Sequence, residues 1–99
     1  MNLRILASAF KDLADGRDFY ERQDLDLGGY FLDSLFSDID SLALYAGIHR
    51  KVFGFHRLLS KRFPYGIYYE FNNENGIVHR VLDLRQAPRK IREALKFSK

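Results

Sequence analysis

His56-Arg57-Leu58-Leu59-Ser60-Lys61-Arg62-Phe63-Pro64-Tyr65-Gly66-Ile67-Tyr68-Tyr69-Glu70-Phe71 is the stretch on which the fold turns. Its aromatic and β-branched residues favour a pleated, half-buried surface. Pro64 has no N–H for a ladder, so the stretch reads as two short strands around Phe63-Pro64. A sheet built this way has one buried face and another that presents cations and aromatics to a partner.

Working outward, the apolar spacing changes from helical to alternating after Arg50-Lys51, and strands are expected near 53–61, 65–72 and 77–85. Asn72-Asn73-Glu74-Asn75-Gly76 is a hairpin turn, made of residues that tolerate positive φ. Period-two alternation then sorts the faces. Ile67, Tyr69 and Phe71 are expected to look inward, with Tyr68 and Glu70 outward. On the last strand Val78, Leu82 and Leu84 take the core face, leaving His79, Val81, Asp83 and Arg85 opposite. Arg57 and Lys61 share a face of the first strand, although Leu58 and Leu59 fall on different sides. Arg57, Lys61, Tyr68, Asp83 and Arg85 are therefore expected on one open face, which nothing in the chain is large enough to cover fully. Such a surface usually marks an interaction site.

The first half is helical. Met1 to Ala7 is a short, mostly apolar first strand, and Ser8 is placed to cap a helix by accepting a backbone N–H. Phe10, Leu13, Ala14 and Tyr20 recur at helical spacing, with Asp12, Asp15, Asp18 and Glu21 on the wet side. Asp24-Leu25-Asp26-Leu27-Gly28-Gly29 breaks that pattern, and Asp26 is a candidate cap for a second helix. There Phe31, Leu35, Ile39 and Leu42 make one stripe, Asp33, Asp38 and Asp40 face outward, and Gly47 marks the stop. Two helices joined by a short turn need something flat on which to bury their apolar side. At the other end Pro88 opens a short helix that docks through Ile91 and Leu95.

Ninety-nine residues suffice for one two-layer core. An apolar share of 46% and an aromatic share of 15% exclude a disordered chain. With no cysteine, disulfides and thiolate metal sites are excluded. His49, His56 and His79 lack ligand spacing, so neither a metal nor a cofactor is expected. No apolar run reaches bilayer length and residues 1–20 carry no signal-peptide core, which predicts a cytoplasmic protein with no membrane partner. The net charge of +3 hides a division. Residues 1–49 carry four Lys/Arg against nine Asp/Glu, a balance of −5; residues 50–99 carry twelve against four, a balance of +8. That split points to a polyanionic or acidic partner on one side, unless the halves neutralise each other across the fold.

No Ser-His-Asp signature, phosphate loop or paired-carboxylate motif is recognisable. His56 beside Arg57 could carry a proton, since imidazole titrates near neutrality; a structural or solvated histidine is the alternative. Asp83 near Arg85 reads as a local ion pair. Arg57, Lys61, Arg62, Arg80, Arg85 and Arg89 could hold phosphates, and interleaved tyrosines could stack bases. Solvated basic strands give the same pattern without any nucleic acid.

Four segments carry a family resemblance: Phe19-Tyr20-Glu21, Leu27-Gly28-Gly29-Tyr30-Phe31, Phe63-Pro64-Tyr65-Gly66-Ile67-Tyr68-Tyr69, and Val81-Leu82-Asp83-Leu84-Arg85 with Pro88. In these the chain resembles the RelE/ParE toxins of bacterial type II toxin–antitoxin systems. The resemblance implies a single α+β domain over residues 1–99: strand–helix–helix, then a three-stranded antiparallel meander and a short C-terminal helix. It implies a cognate antitoxin as partner, with a segment lying across the open sheet face. The target is either DNA gyrase, in the manner of the ParE plasmid-stabilisation branch, or the ribosome and its mRNA, in the manner of RelE. Arg57 and Lys61 fall where the ribonucleolytic branch carries basic residues. Gly66, however, stands where that branch has an arginine directed at the scissile phosphate. Arg85-Gln86-Ala87-Pro88 keeps one of two expected arginines and lacks the aspartate that precedes the proline. The terminal helix has no tyrosine or histidine. The resemblance therefore favours a toxin that acts by binding, through Arg57, Lys61, Arg62, Tyr68, Asp83, Arg85 and Arg89. The alternatives are an mRNA endoribonuclease, with His56, Arg57 and Arg85 as candidate catalytic residues, and a non-toxic remnant that binds only antitoxin or nucleic acid.

Overall fold

The computed structural model describes residues 1–97. The elements are β1 (Asn2–Ile5), α1 (Ala7–Gln23), α2 (Leu27–Asp40), α3 (Leu42–Tyr45), β2 (Lys51–Val52), β3 (Phe55–Leu59), β4 (Tyr65–Asn72), β5 (Asn75–Asp83) and α4 (Pro88–Lys96). The five strands form one sheet in the order β1-β5-β4-β3-β2. β3, β4 and β5 are the expected antiparallel meander, and β1 pairs in parallel with β5. β2 is a short addition beyond it, antiparallel to β3. The β4–β5 turn is tighter than the sequence suggests. Asn73 and Glu74 occupy it at φ 48° and 67°, so Asn75 and Gly76 already belong to β5.

The α1–α2 hairpin covers one face of this sheet. Ala9, Leu13 and Tyr20 from α1 and Phe31, Leu35 and Ile39 from α2 pack on Tyr65, Ile67, Tyr69, Val78 and Val81. All are nearly or fully buried. The opposite face is not open. α4 lays Ile91 and Leu95 over Phe55, Tyr68 and Leu82, so both sides of the sheet are packed within one subunit. Tyr68, expected to face a partner, is fully buried. Nine residues suffice because the covered area is small and α4 is strongly amphipathic, its cations all pointing away.

A β-bulge explains the second departure from simple alternation. Tyr68 pairs with Arg80 and Tyr69 with Val78, which leaves His79 as an extra residue in β5. Val78 and Val81 consequently share the hairpin face, while Leu82 and Leu84 join the α4 cluster. The expected grouping of Val78 with Leu82 and Leu84 is wrong for that reason. Ser8 helps hold the bulge: its hydroxyl donates to the His79 carbonyl at 2.7 Å. It is therefore not the cap of α1, whose cap position is Leu6.

Three carboxylates also have other roles than their spacing implied. Asp26 stands at the cap position of α2 but makes no side-chain cap. Instead Glu21 reaches across the turn, its two oxygens accepting Asp26 N–H at 3.0 Å and Gly28 N–H at 2.9 Å. Asp38 is buried rather than solvated. It accepts the Ser60 hydroxyl at 2.7 Å and the Lys61 N–H at 3.4 Å, tying α2 to the end of β3. Asp12 forms a forked pair with Arg80 at 2.7 and 2.9 Å and also accepts Val81 N–H at 2.9 Å. Arg80 further donates to the Ala94 carbonyl at 3.3 Å, so one guanidinium links α1, β5 and α4 and is engaged internally.

Two glycines of the hairpin have opposite steric surroundings. A Cβ on Gly16 would lie 2.5 Å from Phe31 Cζ, and Phe31 is wedged among Tyr20, Phe63 and Tyr65. A Cβ on Gly29 would meet nothing within 4 Å. Alanine gains up to about 1 kcal/mol in a helix, whereas overpacking costs about 1–3 kcal/mol. Gly16→Ala should therefore lower stability in urea titration by about 1–2 kcal/mol net. Gly29→Ala should raise it by a few tenths of a kcal/mol, roughly.

Candidate binding surface

The residues expected on one face are divided among separate places. Arg57 pairs with Tyr68 across β3 and β4, so it belongs to the side covered by α4. Its Nε and the Tyr68 hydroxyl are both buried, with no well-aligned hydrogen bond among the described residues. Burial pushes the Tyr68 phenol above its ordinary value, and the nearby guanidinium partly offsets this. Gly66 completes the enclosure. A Cβ there would sit 3.1 Å from Leu84 Cδ2, 3.1 Å from Tyr68 Cε1 and 3.2 Å from Arg57 Cδ. A methyl group at this position would therefore press on all three side chains, which would have to give by a few tenths of an ångström.

Asp83 and Arg85 lie elsewhere. Asp83 pairs with Tyr65, which packs against the helical hairpin, so this ion pair and Arg57 belong to opposite sides of the sheet. Arg85 donates from its backbone N–H and Nε to Asp83 Oδ1 at 2.8 and 3.0 Å, and from Nη2 to Oδ2 at 2.8 Å. Nη2 also reaches the Tyr20 hydroxyl at 3.3 Å, and the guanidinium carbon stands 5.9 Å from the centre of the Phe19 ring. The bound guanidinium holds the Asp83 carboxyl below its ordinary range and raises the Arg85 value in turn. Burial, reinforced by Asp83, pushes the Tyr65 phenol up to about 12.

Lys61 and Arg62 are exposed in the connection between β3 and β4, at the same end of the sheet as Arg85. They share that end with an aromatic cluster in which Phe63 contacts Tyr20, Tyr30 and Phe31 at ring distances of 4.8–5.7 Å. Phe19 and Tyr30 are partly exposed there. The result is a cationic, aromatic end suited to an acidic or polyanionic surface, with cation–π contacts available to the arginines. A cleft of about 330 Å³ beside it runs between α1 and the β5–α4 connection, lined in part by Gly16, Phe19, Tyr65, Asp83 and Gln86. The sequence reading singled out the cations of this end but not the role of Phe19, Tyr20 and Tyr30. Tyr20 and Tyr30 reach Phe63 because the hairpin folds over the sheet, and all three rings lie in segments that carry the family resemblance.

His56 is part of neither place. Its ring stacks on Tyr69 at 5.2 Å and its Nδ1 bonds the His49 carbonyl. Gly47 N–H donates to the Tyr69 hydroxyl at 2.9 Å, leaving the phenol proton to donate to Nδ1 of a neutral His49. Burial and the neighbouring His56 hold the His49 ring below its ordinary value, consistent with that arrangement. This network anchors the segment that enters β2. Arg89 lies in yet another place, in a groove along α4 with Arg92 and Lys96. Among the described residues no helix is long and apolar enough to cross a membrane.

No family model matches the sequence, and no curated protein matches it. Among solved structures, one described as the chromosomal ParDE TA system from P. aeruginosa contains a chain of similar fold, with a TM-score of 0.72 at 20% identity. The alignment covers 86% of this chain and 97% of that one. The fold is thus the RelE/ParE-like one expected from the sequence.

The depressed Asp83 value fixes the sign of a pH effect. Its pair with Arg85 contributes in full above the unfolded aspartate value of about 3.9 and is lost as pH falls through the lower folded value. Asp83→Asn should therefore have a lower melting temperature than wild type at pH 6. The gap should close as pH falls from about 4 towards 2.

Proposed function

We propose that this chain is the toxin component of a type II toxin–antitoxin pair. It acts in the cytoplasm, arrests growth by binding a macromolecular target such as DNA gyrase, and is neutralised by a cognate antitoxin. The fold shared with a chain of a ParDE system supports the system-level reading. Binding rather than cutting is supported by one observation: the cations are not assembled around a proton-transfer group. Arg57 is half-buried on the side of the sheet that α4 covers, beside Tyr68 and Gly66. Arg85 is on the other side of the sheet, held by Asp83. His56 bonds a backbone carbonyl with its Nδ1 and stacks on Tyr69. Phosphodiester cleavage needs cations on the phosphate and a proton carrier within about 3 Å of the reacting oxygen. A binding surface needs neither, and Lys61, Arg62 and Arg85 at the aromatic end supply the exposed charge it does need.

The mRNA endoribonuclease reading keeps one specific support. Arg57 and Tyr68 place a guanidinium beside a buried phenol, and Arg57 Nε is a buried donor with no partner among the described residues, which native structures rarely leave without a purpose.

Purified protein and variants separate the two readings. In the binding reading, a Lys61→Ala/Arg62→Ala/Arg85→Ala variant relieves growth arrest and weakens inhibition of gyrase supercoiling by at least about tenfold, while Arg57→Ala stays within about threefold of wild type. Supercoiling that persists in excess wild-type protein would remove gyrase as the target. Cleavage of ribosome-bound mRNA that Arg57→Ala abolishes would establish the second reading instead. Growth unaffected by induction would leave only a non-toxic binding role.

A further inference from the structure

A groove of about 580 Å³ lies between the β2–β3 turn and α4, away from the cationic end described above. Phe53, Phe55 and Leu95 supply its apolar lining, and Arg89, Arg92 and Lys96 outnumber Glu93 on its charged border. The wall at Phe53 is unusual. Val52 pairs with Phe55, so Phe53-Gly54 is a two-residue turn with φ of 53° and 85°. Such turns call for Asn-Gly or Gly-Gly, whose first residue adopts positive φ without a bulky Cβ substituent in the way. A phenylalanine there strains the backbone, and its gain is a half-exposed ring, with the Arg92 guanidinium 5.8 Å from the ring centre. Strain of this kind at an exposed position is a mark of function.

The chain itself carries a shape that complements this groove. Asp24-Leu25-Asp26, between α1 and α2, projects a leucine that is 79% exposed, with an exposed carboxylate on each side. The projection is rigid: Asp26 is held at φ 68°, and Glu21 accepts the N–H groups of Asp26 and Gly28. A preformed apolar tip flanked by negative charge matches an apolar groove bordered by positive charge. The α1–α2 turn lies at the Phe63–Tyr65 end of the sheet, whereas the Phe53 turn lies at the far end of β3, so one molecule cannot join the two.

We propose that this chain self-associates head to tail, the Asp24-Leu25-Asp26 projection of one copy seating Leu25 in the Phe53–α4 groove of the next. The two surfaces differ, so the contact is heterologous and propagates into short chains unless the rotation closes a ring. It is built around one side chain and its two neighbours, which places it among weak, transient contacts. Opposite charges at its border make it sensitive to salt.

Analytical ultracentrifugation of the full chain tests this. In low salt the weight-average mass should rise from that of a monomer at about 10 µM to at least about half as much again at about 500 µM, and 0.5 M salt should reverse most of the rise. Leu25→Ser should stay monomeric throughout. Phe53→Asn should also stay monomeric, while melting no lower than wild type, because asparagine suits the turn better. The decisive sample is an equal mixture of these two variants. One retains an intact projection and the other an intact groove, so the mixture should form a single junction and stop at a 1:1 dimer. A wild type that is monomeric at every concentration would overturn the proposal, as would Phe53→Asn or Leu25→Ser associating like wild type. A mixture that associates no better than either variant alone would also overturn it. So would a monomeric wild type whose Phe53 resonances shift on adding a synthetic acidic peptide with a single leucine, since the groove would then serve a different partner.

Discussion

The Asp12–Arg80 pair is the constraint on which the arrangement of layers depends. Asp12 comes from the helical hairpin, Arg80 from β5 next to the bulge, and the Ala94 carbonyl from the terminal helix. A forked guanidinium–carboxylate pair has one good geometry, unlike a single point contact. Here that geometry sets how α1 lies over β5, and the same carboxylate accepts Val81 N–H just past the irregular pairing. The two side chains are 24% and 12% exposed, so the pair is partly shielded from solvent. Its contribution is as much to register as to energy. With β5 shifted by one residue Asp12 would lose both partners, and Val78 and Val81 would leave the hairpin face.

Much of the fold was legible because local signals agreed with one another. Pro88 opens α4, the asparagine-rich turn joins β4 to β5, and the Phe31–Leu35–Ile39 stripe faces the sheet. The misreadings have three physical sources. A bulge inserts one residue without changing composition, so alternation past His79 moved to the wrong face with no trace in the sequence. Counting each carboxylate as solvated also hid Asp12 and Asp38, whose partners lie far along the chain and appear only once helices and sheet meet. Tyr68 was misread for a third reason. It alternates correctly with Tyr69, but the face it joins is covered by a helix whose covering capacity looked too small from its length.

The site was less legible than the fold. Asp83 and Arg85 are close enough in sequence for their pairing to be read directly. That Lys61 and Arg62 share an end with them follows from strand pairing. The aromatic partners are scattered across two helices and a loop, and Arg57 is separated from Arg85 by the thickness of the sheet. The charge division between the two halves of the chain persists in three dimensions, with acidic residues spread along the α1–α2 hairpin and basic ones along α4 and the β3–β4 connection. The internal clamp pairs only one acid from the first half with one base from the second, so most of the polarity remains at the surface.

The parallel partnership of β1 with β5 bears on how the chain is made. Asn2 finds its neighbour in Asn75, so the first strand lacks its partner until roughly seventy further residues have been synthesised. At ribosomal speeds of about 5–20 residues per second that wait is roughly 4–15 s. Tyr65, Ile67 and Tyr69 of β4 are made before it ends, so the two N-terminal helices can rest on part of the sheet while its β1–β5 edge is still missing. β1 is thus among the first segments made and among the last to find its place.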